Sequence, residues 1–249
     1  MSNDHSMLLG FDIGSVSVNT VVMDHDGNIR YTSYHYCHGR PFQVLLHALR
    51  EVLSRNPDRE VDRVALTGTG GKLAAELLGG TYVNEMVAQA ASVSRLHPRA
   101  RTIIEMGGED SKLIFLERRD GTARLRDFAM NTICAAGTGS FLDQQARRIG
   151  VSIEGEFGEL ALRSQDPPRI AGRCSVFAKS DMIHLQQIAT PVHDIVAGLC
   201  FAVARNYKSS LAQGKELAAP VVFQGGVAAN AGMVRAFREV FGLGDGDLV

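Results

Sequence analysis

The sequence predicts an α/β fold in which one structural unit occurs twice, and two observations support this prediction. Residues 9–23 can be laid over residues 102–116, about 93 positions later, so that Asp12 falls on Glu105. Each copy then reads as a strand, an acidic residue, a glycine turn and a second strand, and an Asp-Gly turn follows each copy. A repeat of this kind indicates a duplicated domain.

In the first half of the chain, apolar runs bounded by turn residues predict strands, and apolar residues three or four positions apart predict helices. The strands are expected within 7–23, which turns at Gly14 and Ser15, and at 29–36 and 61–66, and the helices at 41–53, 72–78 and 82–96. Residues 67–71, Thr-Gly-Thr-Gly-Gly, join a strand to a helix. This composition is typical either of a ligand loop or of a tight turn.

The second half of the chain begins with the strand pair of the second copy and continues with mostly helical patterns. Helices are expected from Ser140 as the N-cap to about Gly150, at 154–163, from Cys174 to about 188, and from Pro191 to 211. A strand at 220–224 leads into a glycine pair and a last helix to about 240, and residues 244–247 are expected to fray. We expect two domains, residues 1–97 and 98–249.

The acidic residue and glycine turn of the first copy form a workable site for a phosphate and its Mg²⁺. Asp12 ends a strand, and the turn residues Gly14, Ser15, Val16 and Ser17 follow. Such a turn exposes backbone N–H groups and hydroxyls beside a carboxylate. Hairpins that bind no ligand also contain this pattern, so a plain turn is the alternative. The strand, glycine pair and helix start at 220–230 also predict an anion or nucleotide contact.

Two of the four cysteines, Cys134 and Cys174, lie in matching surroundings. Each precedes a predicted helix, where unpaired N–H groups and the positive end of the helix dipole stabilise a thiolate. A tetrahedral zinc ion or an iron–sulfur cluster takes four ligands, and a two-fold dimer would supply the other two. Burial as an ordinary apolar side chain is the alternative. Cys37 and Cys200 are expected to be structural, since a buried free cysteine behaves as a small apolar residue.

Composition argues against two classes of function. The formal net charge is −1, which gives no electrostatic footprint for nucleic acid. The apolar runs are shorter than the roughly 20 residues of a membrane span, and the polar N-terminus does not read as a secretory signal. We therefore expect a cytoplasmic protein that binds neither nucleic acid nor membrane.

With the glycine turns and the cysteine segments in view, the chain resembles the activator ATPases of the 2-hydroxyacyl-CoA dehydratases and benzoyl-CoA reductases. The resemblance runs from about residue 8 to residue 241, and its most specific parts are 131–145 and 172–187. This family belongs to the actin-like superfamily. The resemblance thus implies a duplicated actin-like (ribonuclease H-like) ATPase fold, with two domains around a nucleotide cleft. It also implies ATP-driven transfer of a low-potential electron to a partner enzyme.

The resemblance assigns an expected role to each motif. Asp12 and Asp110 would be the catalytic acids and the Mg²⁺ ligands, and Cys134 and Cys174 would hold one [4Fe–4S] cluster jointly with the same residues of a second subunit. Contacts to ATP or ADP would come from two phosphate turns and an adenosine motif: Gly14, Ser15, Val16, Ser17, Gly107, Gly108, Gln224, Gly225, Gly226 and Asn230. The implied partners are a second copy in a homodimer, an iron–sulfur dehydratase or reductase protein or fused domain, and a ferredoxin- or flavodoxin-like electron donor.

Three features depart from the family pattern. Asn19 stands where the short activators usually have a lysine, which reduces the positive charge near the phosphates. The second turn reads Glu-Met-Gly-Gly-Glu-Asp at 105–110 rather than the commoner Asp-Ile-Gly-Gly-Gln-Asp. We also expect the second domain to lack the closing strand and the Gly/Ala-rich helix that would follow Phe241.

Two other functions fit parts of the sequence. A small-molecule kinase of the same superfamily, for example one acting on an amino sugar, would place Asp110 or Asp12 near the substrate hydroxyl. It leaves Cys134 and Cys174 without a role. A non-catalytic ATP-binding module is favoured by Asn19 and by the short C-terminus.

Overall fold

The structure, a computed structural model, describes residues 6–119, 122–131 and 137–249. The strands are β1 Ser6–Ile13, β2 Ser17–Met23, β3 Ile29–Tyr36, β4 Glu60–Thr67, β5 Thr81–Tyr82, β6 Thr102–Met106, β7 Ser111–Arg119, β8 Thr122–Asn131 and β9 Val221–Gln224. The helices are α1 Pro41–Arg55, α2 Gly71–Leu78, α3 Glu85–Leu96, α4 Gly139–Ile149, α5 Phe157–Arg163, α6 Ser175–Gln187, α7 Val192–Leu211 and α8 Ala231–Phe241. Contacts divide the chain into two units, Met1–Gln89 and Ala90–Val249.

The first unit is built on a sheet with the strand order β3-β2-β1-β4-β5. Strands β1, β2 and β3 are antiparallel, whereas β4 runs parallel to β1 and β5 parallel to β4. On β1 the buried side chains Met7, Leu9, Phe11 and Ile13 alternate with more exposed ones. Successive side chains of a strand point to opposite faces. Asp12 therefore lies on the face opposite to this core.

The second unit is built on a sheet with the strand order β8-β7-β6-β9. Strands β6, β7 and β8 are antiparallel, and β9 runs parallel to β6. All five residues of β6 are buried. The final residues also join this sheet, because the N–H of Val249 donates to the carbonyl of Val221 over 2.9 Å and Leu248 forms a parallel bridge with Val221.

The predicted α/β fold class and its duplication are confirmed. In both sheets an antiparallel strand pair encloses the glycine turn, and a later strand lies parallel to the first strand of that pair. The register pairs Asp12 with Asn19 in the first sheet and Glu105 with Lys112 in the second. The two copies thus place corresponding residues at corresponding positions.

Helix α7 is the central helix of the second core. Its buried side chains include Ile195, Leu199, Val203 and Tyr207. Pro191 is its N-cap, in agreement with the predicted start. Across the parts of the chain that the structure describes, no helix combines the length and the apolar character that crossing a bilayer requires.

Some predicted element ends differ from the structure. Helix α5 begins at Phe157 rather than at 154. Tyr82 was expected to begin a helix, but it lies in β5, and α3 begins at Glu85. The reason is local, since the side-chain oxygen of Asn84 accepts the N–H of Met86 over 3.0 Å and caps the helix there. The frayed end expected at 244–247 is wrong as well, because the Asp247 carboxylate accepts the N–H of Gly244 over 2.8 Å and closes a turn.

Candidate functional site

In the first unit, the residues predicted to bind phosphate form one closed turn at the end of β1. The N–H of Gly14 donates to the carbonyl of Ser17 over 2.9 Å. The N–H of Cys37, just after β3, donates to the carbonyl of Val16 over 2.7 Å. The turn is therefore held from both neighbouring strands, with the Asp12 side chain beside it.

The Gly-rich segment at 67–71 is a tight strand-to-helix turn, and it packs against Asp12 and Ile13 at the end of β1. The N–H of Gly70 donates to the carbonyl of Ile13 over 2.9 Å. Gly68 has a φ of +83°, and a Cβ at this position would collide with the carboxylate of Asp12. Glycine at position 68 thus lets the backbone approach that carboxylate. The amide of Asn19 also donates to Asp12, over 3.3 Å.

In the second unit, a buried lysine joins the two acidic residues of the glycine turn. Lys112 Nζ lies 3.0 Å from a Glu105 oxygen and 2.8 Å from an Asp110 oxygen, and the Lys112 side chain has no exposed surface. Tyr207 donates its hydroxyl to the Lys112 carbonyl over 2.7 Å. Burial raises the pKa of the Tyr207 phenol, and the charge of Glu105 adds to this effect. The phenol therefore stays protonated and keeps this bond.

Lys112 was missed by the sequence reasoning, although a signal for it existed. The internal repeat places Lys112 on Asn19, and each of the two pairs with the acidic residue across its own turn. The first copy thus holds its acid with a neutral amide, and the second copy holds its acid with a cation. The two turns therefore differ in charge although they share one backbone arrangement.

Residues of the predicted adenosine motif meet the second turn at the ends of parallel strands. Gln224 lies beside Glu105 in the β6–β9 register. Gly225 has a φ of +93°, and a Cβ there would collide with the Met106 carbonyl oxygen and lie 2.8 Å from its carbon. Only glycine allows this approach of the two strand ends without strain. The loop at Gly225 and Gly226 thus adjoins the turn that contains Gly107 and Gly108.

Asn230, also predicted as a nucleotide contact, has a structural role in this arrangement. Its side-chain oxygen accepts the N–H of Met233 over 3.2 Å, which makes Asn230 the N-cap of α8. A 3-10 turn at Gly226–Ala229 leads into this cap. The cap fixes where α8 begins relative to the glycine loop.

Helix α4 is fastened directly to the second glycine turn. The N–H groups of Gly139 and Ser140 donate to the carbonyls of Gly107 and Gly108, each over 2.9 Å. The prediction that Ser140 caps this helix is wrong, because the helix begins at Gly139 with Thr138 as its N-cap. The amides of the first turn bind these carbonyls instead of a Ser140 side chain. The predicted end at Gly150 is confirmed, with a left-handed φ of +71°.

The structure describes one of the two cysteines that were predicted as cluster ligands. Cys174 is half-buried and is the N-cap of α6. Cys134 lies outside the described residues. Cys37 and Cys200 are buried, as expected for structural cysteines, and burial raises the pKa of both thiols, that of Cys200 to about 12.

We expect a thiol-alkylating reagent to modify Cys174 faster than Cys37 or Cys200 in the folded, metal-free protein at about pH 8. Alkylation requires a thiolate, and the raised pKa values of the two buried thiols leave them mostly protonated. Peptide mass spectrometry after timed labelling measures each rate. In urea the three rates should become similar, and equal rates in the folded protein would contradict the expectation.

Comparison with known proteins places this geometry in a family. The chain matches the BadF/BadG/BcrA/BcrD ATPase family over residues 9–242. It is 35% identical over 236 residues to the 2-hydroxyisocaproyl-CoA dehydratase activator of Clostridioides difficile, with 93% of this chain and 85% of that protein covered.

Solved structures agree with this match. The Acidaminococcus fermentans (R)-2-hydroxyglutaryl-CoA dehydratase component A has a TM-score of 0.86 at 30% identity, with 96% of this chain and 90% of that chain covered. The Clostridium difficile activator of 2-hydroxyisocaproyl-CoA dehydratase, with bound ADPNP, has a TM-score of 0.84 at 30% identity, with 98% and 87% covered. The chain therefore belongs to the BadF/BadG/BcrA/BcrD ATPase family and has the duplicated actin-like ATPase fold.

Proposed function

We propose that this chain is an ATP-dependent activator that passes one low-potential electron from a dimer-bridging [4Fe–4S] cluster to a partner enzyme of the CoA-ester dehydratase or reductase type. Family membership and the named activators among the relatives support this function. The observation that carries it is the pair of backbone hydrogen bonds that joins α4 to the turn of Gly107 and Gly108. These hydrogen bonds join the turn to which we assign phosphate contacts to the start of α4, five positions after Cys134 in the sequence.

The proposed nucleotide is ATP or ADP with Mg²⁺. A relative of the same fold binds ADPNP, an ATP analogue. In this chain, the second unit places the turn of Gly107 and Gly108 and the loop at Gln224, Gly225 and Gly226 at neighbouring strand ends. We assign the Mg²⁺ contacts to Asp12 and Asp110, and further phosphate contacts to Gly14, Ser15, Val16 and Ser17. Asn230 would act by fixing the loop.

The described cluster ligand fits an iron–sulfur cluster. Cys174 sits at the start of a helix of 13 residues, where the helix dipole stabilises a thiolate. Cys174 is also partly exposed, in contrast to the two buried cysteines. When bound, a cluster would supply a one-electron redox centre. Two thiolates from each copy, Cys134 and Cys174, would complete its four ligands.

A second copy of the chain would also cover apolar surface next to Cys174. Val176 and Phe177, in the first turn of α6, are each 65% exposed. Large apolar side chains exposed side by side are typical of surfaces that bind another protein. We therefore place the two-fold axis of a homodimer beside the start of α6.

The coupling between nucleotide and cluster follows from the α4 contacts. In nucleotide switches, contacts to the γ-phosphate order a segment that hydrolysis releases, and the Gly107 turn would respond in the same way. Gly139 and Ser140 follow the turn because their amides bind its carbonyls. The start of α4 would then move with the nucleotide state, and Cys134 lies five positions before this helix in the sequence. A ferredoxin- or flavodoxin-like donor would supply the electron.

Iron analysis under anaerobic conditions tests this function. Purified wild-type protein is expected to contain about four irons and four sulfides per two chains. Cys174→Ala should lose the cluster, because one ligand per copy is removed, while ADPNP binding persists. Cys200→Ala is the matched control, since this cysteine is buried in the same unit, and its variant should keep the iron.

Two results would contradict the proposal. One is wild-type protein that stays free of iron after anaerobic reconstitution. The other is a Cys174→Ala variant that assembles as much cluster as the wild type.

A further inference from the structure

A cavity of about 490 Å³ lies where the strands of the second sheet begin or end away from the glycine turn. Four arginines line it: Arg99, Arg101, Arg118 and Arg126. Two buried apolar residues, Ala100 and Leu116, also line it. None of these residues belongs to the nucleotide or cluster site proposed above.

The cavity and the Gly107 turn lie at opposite ends of β6. Arg101 directly precedes this strand and Gly107 directly follows it. The five residues between them span about 17 Å of extended chain, at roughly 3.3 Å per residue. A ligand in this cavity would therefore bind at a site separate from the Gly107 turn of the second unit.

A β-bulge sets the direction of Arg126. Phe115 pairs with Asp127, and the next residue, Leu116, pairs with Leu125, so Arg126 is the extra residue of β8. Bulges re-aim side chains and are frequent near functional sites. The guanidinium carbon of Arg126 lies 5.3 Å from the centre of the Phe115 ring. This contact favours one position of the exposed guanidinium before any ligand arrives.

The backbone of Arg101 is fixed on both sides. Its N–H donates to the Pro220 carbonyl over 3.0 Å, and its own carbonyl accepts the N–H of Leu116 over 2.9 Å. Arg118 lies on β7 and pairs with Ala123 of β8. Two of the four arginines, Arg101 and Arg118, therefore start from paired sheet backbone, and a rigid base reduces the entropy lost on binding.

The charge of this cavity is strongly positive. Within residues 6–119, 122–131 and 137–249, no ion pair joins any of the four arginines to a carboxylate. Glu117 is the acidic residue among the lining residues, and it faces Arg124 in the β7–β8 register. The nearby Asp127 carboxylate binds Lys215 Nζ over 2.8 Å, and this hydrogen bond, together with the charge of Arg126, lowers the pKa of Asp127. This concentration of arginine contrasts with the formal charge of −1 for the whole chain.

We propose that this cavity binds a small molecule that carries two or more phosphate groups. The planar guanidinium donates paired hydrogen bonds that match phosphate oxygens. The volume falls within the roughly 300–1,000 Å³ typical of small-molecule sites. The cavity is concave and is partly lined by apolar residues. It therefore suits a compact ligand better than it suits the flat surface of another protein. Because the cavity is at the far end of β6, its occupant would bind together with the nucleotide rather than compete with it.

Calorimetric titration with inorganic pyrophosphate tests this site. The protein is first saturated with ADPNP, and every solution contains the same excess of Mg²⁺, so that the nucleotide site is already filled. Wild-type protein should bind pyrophosphate. The double variant R118Q/R126Q should bind it about 100-fold more weakly, roughly tenfold for each guanidinium lost. Arg163→Gln, which alters an exposed arginine of α5 in the same unit, should bind like the wild type.

A second variant tests the site independently, in case the double variant does not fold. Arg99 precedes the sheet, so Arg99→Gln leaves the strands intact, and it should weaken pyrophosphate binding about tenfold. ADPNP affinity should stay unchanged in all variants. The proposal is overturned if ADPNP-saturated wild type binds no pyrophosphate, or if R99Q and R118Q/R126Q both bind it as the wild type does. Neither result depends on the presence of a cluster.

Discussion

Replacing Lys112 by methionine is expected to destabilise the protein by about 3–5 kcal/mol, the usual cost of removing one partner of a buried ion pair. The Lys112 side chain has no exposed surface, and that of Glu105 is only 8% exposed. Without the ammonium group, the Glu105 carboxylate remains buried and loses its cation. Asp110 is 31% exposed and can regain part of its hydration, so most of the cost falls on Glu105. Urea unfolding followed by circular dichroism measures the change.

A double variant separates the charge effect from packing. In K112M/E105Q the buried carboxylate is removed together with its cation, so this variant should be more stable than K112M by at least about 1 kcal/mol. Lys72→Met is the matched control, since Lys72 is exposed, and it should change stability by less than about 0.5 kcal/mol. If K112M and Lys72→Met unfold at the same urea concentration, the ion pair has no structural importance.

Replacing Gly225 by alanine is expected to cost about 2–6 kcal/mol and to reduce ADPNP affinity. The φ of +93° disfavours any residue with a Cβ, at a cost of about 1–3 kcal/mol. The new methyl group would also collide with the Met106 backbone, and overpacking of this kind costs about 1–3 kcal/mol more. The loop must then move away from the end of β6, where the Gly107 turn begins. Urea unfolding and calorimetric ADPNP titration measure the two effects.

Gly246→Ala is the control that isolates the collision. Gly246 has a φ of +90°, close to that of Gly225, but a Cβ there would meet nothing within 4 Å. This variant should lose only the stability that corresponds to the backbone strain, and it should bind ADPNP as the wild type does. Equal stability and equal ADPNP affinity of the two variants would show that the approach of Gly225 to Met106 is unimportant.

The sequence was most informative about features that depend on residues close to one another along the chain. The glycine turns, the long helix after Pro191 and the strand Ile29–Tyr36 all follow from short-range patterns, and the structure contains each of them. The internal repeat predicted the duplicated fold, because the repeat compares residues with one another and does not depend on tertiary contacts. The resemblance to the activator family came from the same local motifs and is confirmed by the family match.

Predictions were wrong or missing for residues whose hydrogen-bond or ion-pair partners lie far away in the sequence. Ser140 looked like a cap because serine commonly accepts the first amides of a helix. The actual acceptors are carbonyls of Gly107 and Gly108, more than 30 positions earlier. Lys112 attracted no notice because a lysine in a strand is usually exposed. Its burial depends on the β6–β7 register and on α7, which supplies Tyr207.

The sequence by itself therefore determined the fold class, the duplication, the glycine turns and the family, because each is encoded in short runs of residues. Only the tertiary structure decided which groups meet around those turns. It buried Lys112 between two carboxylates, fastened α4 to the second turn and gathered four arginines at the far end of β6. The physical reason is that strand register and packing between distant segments select these contacts, and no local pattern specifies either.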